Sequence, residues 1–261
     1  MLKTIKGLFK GSPYKGLQAK DVVLASFPKT GNTFTRFVLA NLLSIQYKDG
    51  EQVNFYNLGQ ILPEFEKDDI SKRWTYPGFP RIIKTHEAHR PEFDAAKDVL
   101  YVMRDPRDTM ISYYKYLQAR KKVQYTGGVD EFIRDPQFGL QSYLRHIESW
   151  EKKARWIFRY EDLMSNPYPL FERFLKDRGV VFVKHQLETA IFKSQPDRMR
   201  KVENEQGRPG REKNFKEGFV FVRNASTGQW KEFYSEDQLK YFYEQIGDRL
   251  KHLGYDFDET T

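Results

Sequence analysis

The stretch VVLASFPKTGNTFTRFVLANLL, Val22 to Leu43, constrains the fold more than any other part of the chain. Its opening, with Asp21 in front (DVVLASF, Asp21 to Phe27), is a short apolar run with β-branched residues. Such a run fits a strand buried on both faces of a parallel sheet. Its second half places Phe34, Phe37, Val38, Leu42 and Ile45 three or four positions apart, the spacing of a helix. Between them lies PKTGN. Backbone N–H groups at a helix start have no partner inside the helix, so a strand–turn–helix of this kind is a ready anion site. Gly31 permits a tight turn and the close approach of an oxyanion. Lys29 adds charge, while Thr30, Asn32 and Thr33 add side-chain donors. A βα turn that merely caps its helix would share these features. A nucleoside-triphosphate loop would not, because G-x-x-x-x-G-K-[ST] puts its lysine after the glycines, whereas Lys29 precedes Gly31.

The rest of the chain repeats the strand–helix rhythm. RIIKTH (Arg81 to His86) and VLYVMRD (Val99 to Asp105) read as strands ending in charged residues, and RWIFRYEDL as a further strand. PRDTMISYYKYLQARKK reads as a helix with Pro106 in its first turn. SNPYPLFERFLKDRGV is expected to be a helix capped by Asn166 and ended by Gly179. In SEDQLKYFYEQIGDRLKHLGY, Ser235 is the expected cap, with Leu239, Phe242, Tyr243, Ile246 and Leu250 on one face. Strands alternating with helices imply an α/β fold, a parallel β-sheet flanked by helices, with ligands at the carboxyl ends of the strands.

At 261 residues the chain suits one large domain over 1–261, with a core from about 15 to 255. It has no cysteine, which excludes disulfides, thiolate-bound zinc and thiol catalysis and suits a reducing compartment such as the cytoplasm. No run approaches the ~20 apolar residues of a membrane span. MLKTIKGLFKG lacks the long apolar core of a signal peptide. Leu2, Ile5, Leu8 and Phe9 allow either a short basic membrane-touching helix or an ordinary frayed terminus. A formal charge of +8 attracts polyanions without choosing among nucleic acid, acidic lipid and a phosphate-rich cofactor.

The choice comes from motifs. SFPKTGNTF resembles the Y-P-K-S-G-T-T-W signature of the sulfotransferases that use 3′-phosphoadenosine-5′-phosphosulfate (PAPS) and release 3′,5′-adenosine bisphosphate (PAP). VMRDPRDTMISYYKY matches their second signature, R-[ND]-P-x-D-x-x-x-S-[YF]-Y, and IIKTH, RYEDLMSNP and RNASTGQW match three further elements in family order. The resemblance implies a P-loop-like sulfotransferase fold. It also implies that Lys29, Thr30, Gly31, Asn32 and Thr33 hold the 5′ end of the nucleotide, that Phe34 stacks on its adenine, that Tyr160 lies near the nucleotide, and that Arg104, Ser112, Arg223 and Asn224 hold its 3′-phosphate. Ala225 stands where the family has glycine.

Sulfuryl transfer needs a cation where charge develops on the leaving oxygen and a base for the acceptor proton. Lys29 is the candidate cation, with Lys84 beside the transferred group; His86 is the candidate base, and His89 and Glu87 are the fallbacks. His146, His185 and His252 fall on helices or their ends as bystanders. No metal site is implied. The segments QARKKVQYTGGVDEFIRDPQFGL and VENEQGRPGREKNFKEGF are expected to wall a small-molecule acceptor, through Tyr125, Phe132, Phe138, Arg208, Arg211 and Lys213. A dimer built on the family's K-x-x-x-T-V-x-x-x-E element is not expected, because KEFYSEDQLK keeps Lys231 but reverses the final charge at Lys240. The alternatives are a nucleoside or nucleotide kinase, disfavoured by the loop order, and a nucleic-acid-binding protein, for which no signature is present.

Overall fold

Buried strands come first. The computed structural model describes residues 16–255 apart from 66, 223 and 224. Arg223, Asn224 and the basic segment around Leu2 to Phe9 therefore lie outside the described residues. Four parallel strands, β1 (Val22–Ser26), β2 (Ile82–Thr85), β3 (Asp98–Met103) and β4 (Trp156–Arg159), form one sheet in the order β2-β1-β3-β4. Leu24 pairs with Lys84 on one side and with Leu100 on the other. The chain leaves β1 for β2 on one side and reaches β3 on the other. The loops after β1 and β3 thus diverge, leaving a crevice at their carboxyl ends.

Helices cover both faces. The longer ones are α1 (Asn32–Tyr47), α2 (Pro106–Gln118), α3 (Leu140–Glu151), α4 (Tyr168–Asp177), α5 (Lys184–Lys193), α6 (Pro196–Gln206) and α7 (Glu236–His252). Strand residues alternate between two cores. Val22 and Leu24 face α1, α4 and α5, whereas Val23 and Ala25 face α2, α3 and α7. Helix α1 is buried almost all round, from Phe34 to Ser44, as a helix packed between sheet and outer helices must be. No helix among the described residues is long and apolar enough to cross a membrane.

Several local expectations shift. Helix α2 stops at Gln118 because the residues beyond it pair with a later segment: Lys121 N donates to Asn214 O and Lys216 N to Ala119 O, both at 2.9 Å. Pro167, rather than Asn166, precedes α4, since the Asn166 N–H closes the short helix Tyr160–Ser165 onto Asp162 O at 2.9 Å. Gly179 ends α4 at φ 66°, with Gly179 N to Lys176 O and Val180 N to Leu175 O both 2.9 Å, a Schellman closure. Ser235 caps α7 through Gln238 N at 3.4 Å. Tyr243 is 45% exposed, off the buried face of Phe242, Ile246 and Leu250.

Candidate active site

The turn after β1 places Lys29 at φ 73° and Gly31 at φ 108°, both in the region that favours glycine. A Cβ on Gly31 would sit 2.7 Å from Tyr160 Cδ2, so the bare backbone is required there. Gly31 occupies the N-cap of α1 and brings no side chain to satisfy the first N–H groups, which leaves an anion that task. Thr30 is fully buried, and its hydroxyl donates to Phe27 O at 2.9 Å and Val102 O at 3.1 Å. It ties the loop to β3 and does not line the cavity that opens above.

That cavity, of about 550 Å³, is bordered by Lys29, Gly31, Asn32, Thr33 and Phe34 together with His86, Arg104, Ser112 and Tyr160. Residues from four strand ends and two helices, expected separately from the sequence, are thus brought to one place. The Lys29 ammonium lies 3.9 Å from the Phe221 ring centroid and 5.2 Å from that of Tyr116, a cation–π pairing that holds it over the cavity. Phe34 is only 3% exposed and packs against Phe171 at 6.5 Å, so it belongs to the core and to the cavity wall at once.

At the end of β3, the Arg104 guanidinium carbon lies over the Tyr160 ring, 4.3 Å from its centroid. Its Nη2 donates to Ser226 O at 2.9 Å and to Asp108 Oδ2 at 3.3 Å, and its buried Nε has no hydrogen-bond partner. Ser112 follows one turn after Asp108 on α2. Sequence reasoning passed over Asp108. The structure makes it the clasp of the late segment, accepting from Gly228 N at 2.8 Å and Trp230 N at 3.1 Å, while Arg107 stacks on the Trp230 ring at 3.6 Å. Ala225 adopts φ 53°, the left-handed form its glycine-bearing counterparts reach without strain.

His86 follows β2. Its Nδ1 lies 2.7 Å from Ser26 O and 3.2 Å from Ser26 Oγ, and Asn32 Nδ2 donates to that same Oγ at 2.9 Å. A carbonyl only accepts, so Nδ1 carries the proton and Nε2 is left as the acceptor. The ring is exposed on its cavity side and enclosed elsewhere. Burial, then the Lys84 ammonium, hold its pKa below the ordinary imidazole value; water on the open side tempers that effect without changing its direction. Ser26 is a second residue missed in the sequence, since a serine inside an apolar strand run carries no motif.

Lys84 does not line the cavity. Its ammonium, 4% exposed as a residue, is paired with Glu64 Oε1. Burial lowers Lys84 to about 7, the Glu64 carboxylate offsetting part of the effect. Burial alone would raise Glu64, but Lys84 and Lys67 together outweigh it and hold the carboxyl at about 2. Arg36 Nη1 lies 3.7 Å from Glu64 as well, so one carboxylate is shared by three cations and the cluster stays net positive. Of the fallback bases, His89 pairs with Asp94 at 3.0 Å and Glu87 with Arg90; neither borders the cavity. His146 is buried in α3 with Nδ1 2.9 Å from Tyr101 OH. Of the expected acceptor-wall aromatics, Phe138 reaches the cavity, whereas Phe132 is in the core and Tyr125 packs on it at 5.0 Å.

Over residues 19–254 the sequence matches the family model described as sulfotransferase domain. The chain belongs to the sulfotransferase family. Sulfotransferase 4A1 of Mus musculus is 30% identical over 190 residues, covering 67% of this chain and 65% of the relative. The chain thus spans just under two thirds of that relative's length. Sulfotransferase 6B1 of Danio rerio is 28% identical over 250 residues, covering 90% and 81%. Among solved structures, retinol dehydratase in complex with retinol and PAP aligns with TM-score 0.67 at 19% identity, covering 93% of this chain and 84% of that one. Mouse sulfotransferase SULT7A1 complexed with PAP aligns with TM-score 0.64 at 17% identity, covering 90% and 85%. These likenesses establish the sulfotransferase α/β fold, and the sheet order and the loop after β1 are its frame in this chain.

Proposed function

We propose that this sulfotransferase-family protein transfers a sulfuryl group from PAPS to a hydroxyl or amine of a small acceptor, with His86 as general base. The observation that carries the reading is the single cavity in which the Lys29–Phe34 loop, the Arg104–Ser112 pair and His86 meet. The donor, when bound, supplies the activated sulfuryl group. The residues suit it: the Gly31 backbone leaves room where a side chain would collide with Tyr160, and Arg104 keeps a buried Nε–H without a partner. In this reading the 5′ end lies on the N-terminus of α1, with Asn32 and Thr33 beside it, and Arg104 with Ser112 holds the 3′-phosphate. Arg223 and Asn224 are assigned to that phosphate by family likeness alone. Lys29 stabilises charge on the leaving oxygen, and His86 Nε2 takes the acceptor proton. Lys84 acts behind Glu64, by charge rather than by contact. That retinol dehydratase was solved with PAP together with retinol or androsterone supports a small acceptor bearing a hydroxyl. The cysteine-free sequence suits a cytoplasmic setting, which belongs to the same proposal.

A thermal-shift titration tests the donor. Only a ligand of the folded state raises the melting temperature. PAP is expected to stabilise the protein far more than 5′-AMP, and ATP–magnesium hardly at all. Stabilisation by ATP–magnesium in place of PAP would overturn the reading in favour of a kinase.

A further inference from the structure

Of the cavity's cations among the described residues, Lys67 pairs with Glu64 at 2.7 Å, and Arg120 has no task in the proposed transfer. Arg120 stands eight residues after Ser112, just past the end of α2 at Gln118. Its Nη1 donates to Tyr116 OH at 3.1 Å, its buried Nε has no hydrogen-bond partner, and no carboxylate among the described residues lies within ion-pair distance of it. The wall beside it is aromatic and apolar, made by Tyr113, Tyr116, Leu117, Val123 and Phe138. Its backbone is fixed from outside, for Arg120 and Phe215 form an antiparallel bridge flanked by the Lys121–Asn214 and Lys216–Ala119 hydrogen bonds. Lys121 Nζ also donates to Glu212 O at 2.7 Å, so side chain as well as main chain ties the two segments.

Within the proposed sulfuryl transfer, we propose that the acceptor is an aromatic hydroxyl compound carrying an anionic group, such as a carboxylate or sulfonate, which Arg120 binds. An aromatic ring packs against Tyr116 and Phe138, and a guanidinium held at its edge pairs well with an anion that presents two oxygens to two N–H groups. Tyr116 also lies under Lys29, so a ring spanning the wall reaches from the site of transfer to Arg120. The competing use of Arg120 is contact with the donor's own sulfuryl group, and the experiment separates the two.

The kcat/KM values for 3-(4-hydroxyphenyl)propionate, for its uncharged amide and for the cationic tyramine are measured with PAPS for the wild type, Arg120→Gln and Arg120→Glu. The carboxylate is expected to be preferred by about tenfold or more, the scale of a charge-assisted hydrogen bond. Arg120→Gln should erase the preference by slowing the carboxylate alone, and Arg120→Glu should turn it toward tyramine. The same comparison is read from acceptor affinity by calorimetry at saturating PAP, which needs no turnover. Equal values for carboxylate and amide in the wild type, with PAP bound, would overturn this inference alone. So would an Arg120→Gln variant that slows both acceptors equally and raises KM for PAPS, which would assign the residue to the donor. Failure of PAP to bind would overturn the sulfotransferase reading, and this inference with it.

Discussion

At the scale of single residues, His86, as the proposed general base, depends on a proton it must not hold. Its pKa lies below the ordinary value because of burial and then Lys84, and a general base works only when unprotonated. The acid limb of kcat/KM is therefore expected below pH 6.5. Lys84→Gln removes a cation that lowers His86, and it leaves Glu64, which raises it. The limb should then move to higher pH; a limb that stayed or moved down would separate Lys84 from His86. His86→Ala should cut kcat by about 10²–10⁴-fold with PAP affinity within about twofold by calorimetry, and lost PAP binding would assign the ring to the nucleotide instead. Ala225 gives a stability test. Its φ of 53° costs an L-residue ~1 kcal/mol, so Ala225→Gly should raise Tm by about 2–4 °C. A fall in Tm would mean that the chain's loss of freedom at glycine outweighs the strain.

At the scale of elements, the molecule hangs on two junctions: β1 into α1, and β3 into α2. The first was legible in outline, because a buried strand, a glycine turn and a helical repeat each leave their own period, although Thr30, expected to hold the nucleotide, instead ties the loop to β3. The second was legible for Arg104 and Ser112 but not for Asp108, whose partners are backbone N–H groups more than a hundred positions away. No local pattern encodes a contact of that kind. Asp108 is 1% exposed and accepts from Gly228, Trp230 and Arg104. Asp108→Asn should cost about 1.5–3 kcal/mol, the range for hydrogen bonds to a buried charge, and weaken PAP more than 5′-AMP. Urea unfolding with and without each nucleotide reads both, and equal weakening for the two would detach Asp108 from the 3′-phosphate end. Ser26 escaped for the same reason, since its partners His86 and Asn32 meet only when β1, β2 and α1 are assembled.

At the scale of the whole molecule, the sheet order β2-β1-β3-β4 collects the Lys29–Phe34 loop, His86 and the Arg104–Ser112 pair at one crevice, as alternating strands and helices in the sequence imply. The order itself was not readable, because buried parallel strands look alike whichever neighbour they take. Nor was the inward use of His146. Burial, offset only in part by the nearby His86 carbonyl, lowers it to about 3. As pH falls below about 6.5 the unfolded chain binds a proton that the folded one refuses, and stability declines toward pH 3. Between pH 7 and 5 this amounts to about 2 kcal/mol at ~1.36 kcal/mol per unit. His146→Gln should lose less stability over that interval in urea titrations; equal losses would exonerate His146. Of the two segments expected to wall the acceptor, only the first borders the cavity, through Arg120, Val123 and Phe138, and the second holds it by main-chain bonds, Lys121 to Asn214 and Lys216 to Ala119. They are in effect a single cassette split across the chain. Anyone transplanting acceptor preference from a relative must move both halves, because either alone arrives with N–H and C=O groups whose partners stayed behind.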